Sequence, residues 1–335
     1  DYLYINQTDG TFKEVNTTEG KLGHTSHFSM GNDIADVNND GFTDILSVDM
    51  LPENLETLKS SGTEFNFPIF QNQLRQGYQP QFMQNTLHIN KGKEQFTETA
   101  FLSGISSTEW SWSPLLADFD NDGDKDIYIT NGIVGATNDM DFINFISNEN
   151  IQKRIGSRMT DKELPLLEEI PQKKTENYFF SNNGNGTFEN TSKSWIKSTT
   201  SFSNGSSYAD LDNDGDLDIM VNNVNEQAYL LENKTQQLKD SMHYLKIRFK
   251  GSPQNTFGIG AQVHVYTKKK YQYFENYTTR GYLSSIAPEL SIGLGKQKNI
   301  DSLKIVWADG KKQTLNNIKA DQIITVAYDT SSADS

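Results

Sequence analysis

The stretch Asp118-Phe-Asp-Asn-Asp-Gly-Asp-Lys-Asp126 packs five carboxylates into nine residues around one glycine. Charges this close repel one another strongly even at the effective dielectric of a protein surface, so a compact loop that holds them needs a cation at its centre. Two other stretches repeat the pattern in register: Asp36-Val-Asn-Asn-Asp-Gly-Phe-Thr-Asp44 and Asp210-Leu-Asp-Asn-Asp-Gly-Asp-Leu-Asp218. Acceptor side chains at positions 1, 3, 5 and 9, a Gly at 6 for the sharp turn and a backbone carbonyl at 7 are the hard-oxygen pattern of a calcium loop. The candidate ligands are Asp36, Asn38, Asp40, Phe42 (through its carbonyl) and Asp44; Asp118, Asp120, Asp122, Asp124 and Asp126; and Asp210, Asp212, Asp214, Asp216 and Asp218. Up to three Ca2+ ions are expected. The first loop carries three acids where the others carry five, and should bind most weakly. Magnesium prefers a tight octahedron with several waters, and zinc or copper prefer imidazole or thiolate, which these loops lack. A metal-free Asx-rich turn is the alternative for one copy; three in register weigh against it.

An EF-hand begins the same way but needs a Glu at position 12 and flanking helices, and position 12 here is Ser47, Ile129 and Val221. Each loop instead runs into a segment of strand type: Asp44-Ile-Leu-Ser-Val-Asp49, Asp126-Ile-Tyr-Ile-Thr130 and Asp218-Ile-Met-Val-Asn222. Upstream of each loop lies a hairpin pattern with a Gly/Asn turn: Leu3 to Phe12, Leu87 to Phe96 and Phe179 to Phe188. From the hairpin Asn (Asn6, Asn90, Asn182) to the first loop Asp is 30, 28 and 28 residues. The minimal unit is about 51 residues, and the first two units carry insertions at about 51–84 and 131–176. Four-stranded repeats of this length are the signature of propeller blades, whose faces are buried only against neighbours. Three units and a strand do not close a ring, so the chain is expected to be the C-terminal part of a longer polypeptide whose upstream blades are its first partners.

Residues 239–329 read as a separate small β-sandwich or barrel, followed by a tail at 330–335. The alternating runs are Leu245-Ile247-Phe249, Val263-Val265, Leu303-Ile305-Trp307 and Ile323-Thr325-Ala327, with Trp307 on the core face. Gly258-Ile-Gly-Ala and Gly293-Leu-Gly are turn or bulge glycines, since no helix-forming stretch comes after them to make a phosphate loop. The run Lys268-Lys269-Lys270 reads as a solvated turn.

The hairpin-plus-loop units resemble FG-GAP/VCBS repeats, the calcium-loop blades also seen in integrin α-chain heads. The stretches His243-Tyr-Leu-Lys-Ile-Arg-Phe-Lys-Gly251, Arg280-Gly-Tyr-Leu-Ser284 and Asp301-Ser-Leu-Lys-Ile-Val-Trp-Ala-Asp-Gly310 resemble the ASPIC/UnbV domain. The resemblance covers nearly the whole chain. It implies an all-β chain, a partial propeller with insertions followed by the small β-domain. It also implies an extracellular or cell-surface address, as in surface-associated proteins of Bacteroidota-type bacteria, and no catalytic residues.

Composition narrows the function. Of 335 residues, 44 are Asp or Glu and 30 Lys or Arg, giving a net charge of -14. Outside the three loops 31 acids face 29 bases, so 12 of those 14 charges sit in 27 residues. This balance excludes a nucleic-acid partner, whose binding draws on clustered cations. The absence of cysteine excludes disulfides, Cys-based zinc sites and thiol catalysis. No window approaches 18 apolar residues, and Asp1-Tyr2-Leu3-Tyr4 has no signal-peptide character. His24-Thr-Ser-His27 lacks the Glu of a zinc protease, and no Gly-x-Ser-x-Gly elbow occurs. The expected function is a calcium-binding recognition scaffold, not an enzyme, contacting other surface proteins or glycans. The alternative is a polysaccharide lyase or glycosidase on a propeller, with Glu109 or the pair Asp139 and Asp141 as stray carboxylates. The insertions, with Phe65, Phe67, Phe70, Tyr78 and Phe82 in the first and helix-like runs around Phe142-Ile143-Phe145-Ile146 and Leu164-Leu166-Leu167 in the second, are the leading partner surfaces; packing over neighbouring blades is the alternative.

Overall fold

The computed structural model describes residues 2–62, 67–155, 170–197, 199–238 and 241–328. Each acidic loop joins two antiparallel strands: Asn32–Ala35 to Asp44–Ser47, Ser111–Ala117 to Asp126–Asn131, and Ser203–Ala209 to Asp218–Asn223. The hairpin after each loop extends the same sheet. The first blade adds Thr86–Asn90 and Phe96–Glu98, the second Tyr178–Asn182 and Phe188–Asn190, and the third one strand, Tyr229–Leu231. A two-stranded hairpin, Tyr4–Asn6 with Phe12–Glu14, precedes them. The arrangement is propeller-like, but the repeat seen in the sequence straddles two blades: its hairpin closes one sheet and its loop opens the next.

Alternation along the middle blade explains how the sheets stack. Ile127, Ile129, Leu116 and Phe180 face the first blade and meet Leu46, Val48, Leu87 and Ile89. Tyr128, Leu115 and Phe179 face the third and meet Leu217, Ile219 and Val221. Because both faces are covered, every residue of Asp126–Asn131 is buried. Each such side chain removed from water contributes about 1.5–3 kcal/mol. Among the described residues the third blade is covered on one face alone, and its strands expose Met220 and Leu230 on the other.

Residues 243–327 form the expected sandwich. One sheet has the strand order Glu289–Gly295, His243–Lys250, Gln322–Ala327; the other runs Tyr271–Glu275, Gln262–Tyr266, Asn299–Val306, Lys312–Lys319. Leu245, Ile247, Val263, Val265, Leu303, Ile305 and Trp307 fill the space between. The phase of the last strand differs from expectation. It pairs in parallel with His243–Lys250 so that Ile247 lies beside Ile324 and Phe249 beside Val326, and these two face the core. Ile323, Thr325 and Ala327 are exposed instead.

The first insertion contains helices Leu55–Ser60 and Phe67–Arg75, and Phe70 packs on Phe82 at 5.5 Å. The second contains Met140–Ile146 and Glu149–Ile155. The two insertions touch, with Gly62 N donating to Asn138 O at 2.8 Å. Phe65, Leu164, Leu166, Leu167 and the tail 330–335 lie outside the described residues. Trp110 lies just before the strand Ser111–Ala117 that carries Trp112. Among the described residues no helix is long and apolar enough to cross a membrane.

Candidate metal centre

The three loops have one hydrogen-bonding plan. The Asp at position 9 accepts with both oxygens from backbone amides: Asp126 from Phe119 N and Asn182 N at 3.0 Å each, Asp44 from Val37 N and Asn90 N, Asp218 from Leu211 N and Asn233 N. This clasp joins a loop to the hairpin of its own blade through main-chain amides, and the recurrence of Asn is accounted for by its side chain. The Asn side chain then reaches across blades. Asn182 Nδ2 donates to Lys125 O of its own loop and to Val37 O of the preceding one, both at 2.9 Å. Asn233 does the same with Leu217 O and Phe119 O. At position 4, Asn39 and Asn121 take a left-handed backbone (φ 57° for both), which Asn tolerates well. Their side chains donate forward to the next loop, Asn39 to Gly123 O and Asn121 to Gly215 O.

The donor set fits a hard divalent cation best in the second and third loops. Oxygens of Asp118, Asp120 and Asp126 lie within 4.8 Å of one another, as do those of Asp210, Asp212 and Asp214. Asp210 Oδ1 and Asp216 Oδ1 are buried with no hydrogen-bond partner, the condition of ligands that await an ion. The first loop is less suited. Asn38 stands where the other two loops carry an aspartate, and its Nδ2 donates to Asp40 Oδ2. Phe42 turns its ring onto Gly92. Asp122 and Asp124 belong to the second loop: Asp122 Oδ1 accepts Asp124 N, while Asp124 faces Lys270 and Asn39. Burial, with repulsion between neighbouring aspartates, pushes Asp118 and Asp126 well above the carboxylate range and Asp122 to about 6. Burial likewise brings Asp44 and Asp216 to about 7. A bound cation would supply the charge that lets these groups ionise together.

The sandwich sits directly on the loops. Each position-6 glycine meets one of its side chains: Gly41 meets Tyr271, Gly123 meets Gln272 and Lys270, and Gly215 meets the Tyr244 ring. Gly293 lies so close to the second loop that a Cβ there would stand 2.0 Å from Asp118 Oδ2. Each loop also has an ammonium group. Lys125 Nζ donates to Asp36 O at 2.9 Å and Tyr273 O at 3.3 Å, and burial lowers it to about 8. Lys270 Nζ is 2.5 Å from Asp124, so this lysine is not the solvated one its sequence run suggests; Lys268 and Lys269 are exposed. Lys246 Nζ lies between Asp210 at 3.4 Å and Glu289 at 2.8 Å. The short hairpin of Thr279–Arg280 and Ser284–Ser285 lies against the innermost strands of all three blades. Its Tyr282 N donates to Ser113 Oγ, and the Tyr282 ring packs on Trp112 at 5.1 Å.

Sequence reasoning placed the loops but not their cap. One signal was present: Lys125 is the single base among the 27 loop residues, and a lone cation inside an acid run marks a buried partner. His24 pairs with Glu98 at 3.2 Å, away from any acidic loop.

Known proteins agree with this geometry. The FG-GAP-like repeat family matches residues 78–129 and 171–221, stretches that contain the second and third loops. The ASPIC and UnbV family matches residues 251–333, beginning just after the central strand of one sandwich sheet. Cartilage acidic protein 1 of Xenopus tropicalis is 25% identical over 98% of this chain, which spans 41% of that protein's length. The chain thus carries FG-GAP-like repeats followed by an ASPIC and UnbV domain.

Proposed function

We propose that this chain is a calcium-binding recognition scaffold that works outside the cell or on its surface and engages other proteins or glycans without catalysing a reaction. The observation that carries the calcium reading is the pair of buried, unpartnered oxygens on Asp210 and Asp216 beside the Asp210, Asp212 and Asp214 cluster. Loops of this kind in extracellular modules bind at about 0.1–1 mM, so they fill outside a cell and empty in cytosol. Support for a scaffold comes from blades whose faces are buried against one another and from the two insertions, which touch at Gly62 and Asn138. Phe67 and Tyr78 are exposed on the first insertion. The uncovered face of the third blade, with Met220 and Leu230, suits a further blade of the same type.

Melting curves in millimolar calcium and in EGTA test the reading, with a lower midpoint expected on chelation. An unchanged midpoint together with no calorimetric binding of calcium would sink it. Turnover of any member of a glycan library would favour the enzyme instead.

A further inference from the structure

The third loop departs from the other two at the residue expected to be its first ligand. In the first and second loops the position-1 carboxylate accepts the amides of positions 5 and 6: Asp36 from Asp40 and Gly41, Asp118 from Asp122 and Gly123. Asp210 has neither bond. Its Oδ2 lies 3.4 Å from Lys246 Nζ, and its Oδ1, buried, has no partner. Lys246 comes from the centre of the sandwich sheet, is 1% exposed, and reaches Asp210 across the boundary between sandwich and propeller.

We propose that Lys246 is a tethered competitor for the metal at the third loop. Its ammonium holds Asp210 away from the arrangement that Asp118 takes, and a bound calcium ion recovers Asp210 while Lys246 keeps its contact with Glu289. Two cations on one carboxylate oppose each other, so the sandwich sets the affinity of the third site and, by reciprocity, calcium at that site weakens one tie of the sandwich to the propeller. In the second loop the ammonium of Lys270 contacts Asp124 instead of the first ligand, and Asp118 lies against Gly293. The inference rests on the calcium reading above.

The test is calorimetric titration of the whole chain with calcium chloride, in wild type and in Lys246→Met, Lys246→Arg and Glu289→Gln. In Lys246→Met the third site is expected to tighten about tenfold, roughly 1.4 kcal/mol. Lys246→Arg should leave it near wild type, and Glu289→Gln, which frees the ammonium for Asp210, should weaken it. Each titration is repeated with Asp122→Ala, which removes the second site. Should Lys246→Met fold poorly, Glu289→Gln alone decides, since a tighter or unchanged third site in that variant overturns the competitor role. Weaker binding in Lys246→Met also overturns it and makes the lysine a positioning group for Asp210. Loss of calcium binding at every site in wild type would instead overturn the calcium reading itself.

Discussion

Arg280 Nη1 and Asp33 Oδ1 lie 3.0 Å apart, both buried, although 247 residues separate them in the chain. The other oxygen of Asp33 accepts Leu116 N at 2.7 Å, so one carboxylate ties the sandwich hairpin to two blades. Burial pushes the Asp33 carboxyl up, and the guanidinium works against that shift. Removing the guanidinium strands a charge in a dry site. Arg280→Met is expected to cost about 3–5 kcal/mol, read as a lower urea midpoint. Adding Asp33→Asn, whose amide oxygen can still accept Leu116 N, should restore part of the loss. A single variant as stable as wild type would show that the pair does not hold the parts together.

Gly293 makes a second junction testable. Its backbone does not use the left-handed region, so the cost of a side chain there measures contact with Asp118 and Asn121 alone. Gly293→Ala should unseat the sandwich. Limited proteolysis should then cut faster between residues 232 and 243, with a lower melting midpoint. Unaltered digestion would mean that the second loop yields without moving the sheet.

The cross-blade asparagines should differ sharply in worth. Asn182→Ala leaves Val37 O and Lys125 O without their donor in a buried setting, and is expected to cost about 2–3 kcal/mol. Asn6 is exposed, and among the described residues its side chain accepts only Thr8 N, so Asn6→Ala should change stability by less than about 0.5 kcal/mol. Denaturation midpoints of the two variants provide the comparison, and equal losses would contradict the latch.

Chelated protein should gain stability as pH falls from 8 to 6.5. Asp44 and Asp216, at about 7 when folded, take up protons in this window, whereas their unfolded carboxyls stay ionised down to about 4. Native protein then binds more protons than unfolded, and stability drops as pH rises. Burial holds His27 and His88 below their usual range and brings Lys125 to about 8; both oppose the trend, the histidines toward pH 6.5 and the lysine toward pH 8, while the raised carboxyls of Asp118 and Asp126 reinforce it. Calcium should flatten the dependence and release protons on binding. Differential scanning calorimetry at both pH values, in EGTA and in calcium, checks this; a chelated midpoint that climbs toward pH 8 would contradict it.

Much of the architecture was legible because the signals are local. Acid spacing marks the loops, Gly and Asn mark the hairpins, and period-two alternation marks the sandwich core. The phase of Gln322–Ala327 was not, because Ile323 and Ile324 are both apolar and the choice between them is made by parallel pairing with a strand far earlier in the chain, His243–Lys250. The cap over the loops was illegible for the same reason. Nothing near Lys246 in the sequence points to Asp210, and nothing near Gly293 points to Asp118. Such contacts are set by how two folded bodies meet. The Asn at position 4 is not among the ligand positions that the spacing marks, and its forward reach to the next loop emerges only once the blades are stacked.

That forward reach has a direction. Asn39 gives to Gly123 and Asn121 gives to Gly215, always from the earlier turn to the later. The row of turns is therefore polar, like a string of hooks and eyes, and every added module can fasten to the last one without reopening any joint already made. Lengthening by duplication needs no new chemistry at the seam.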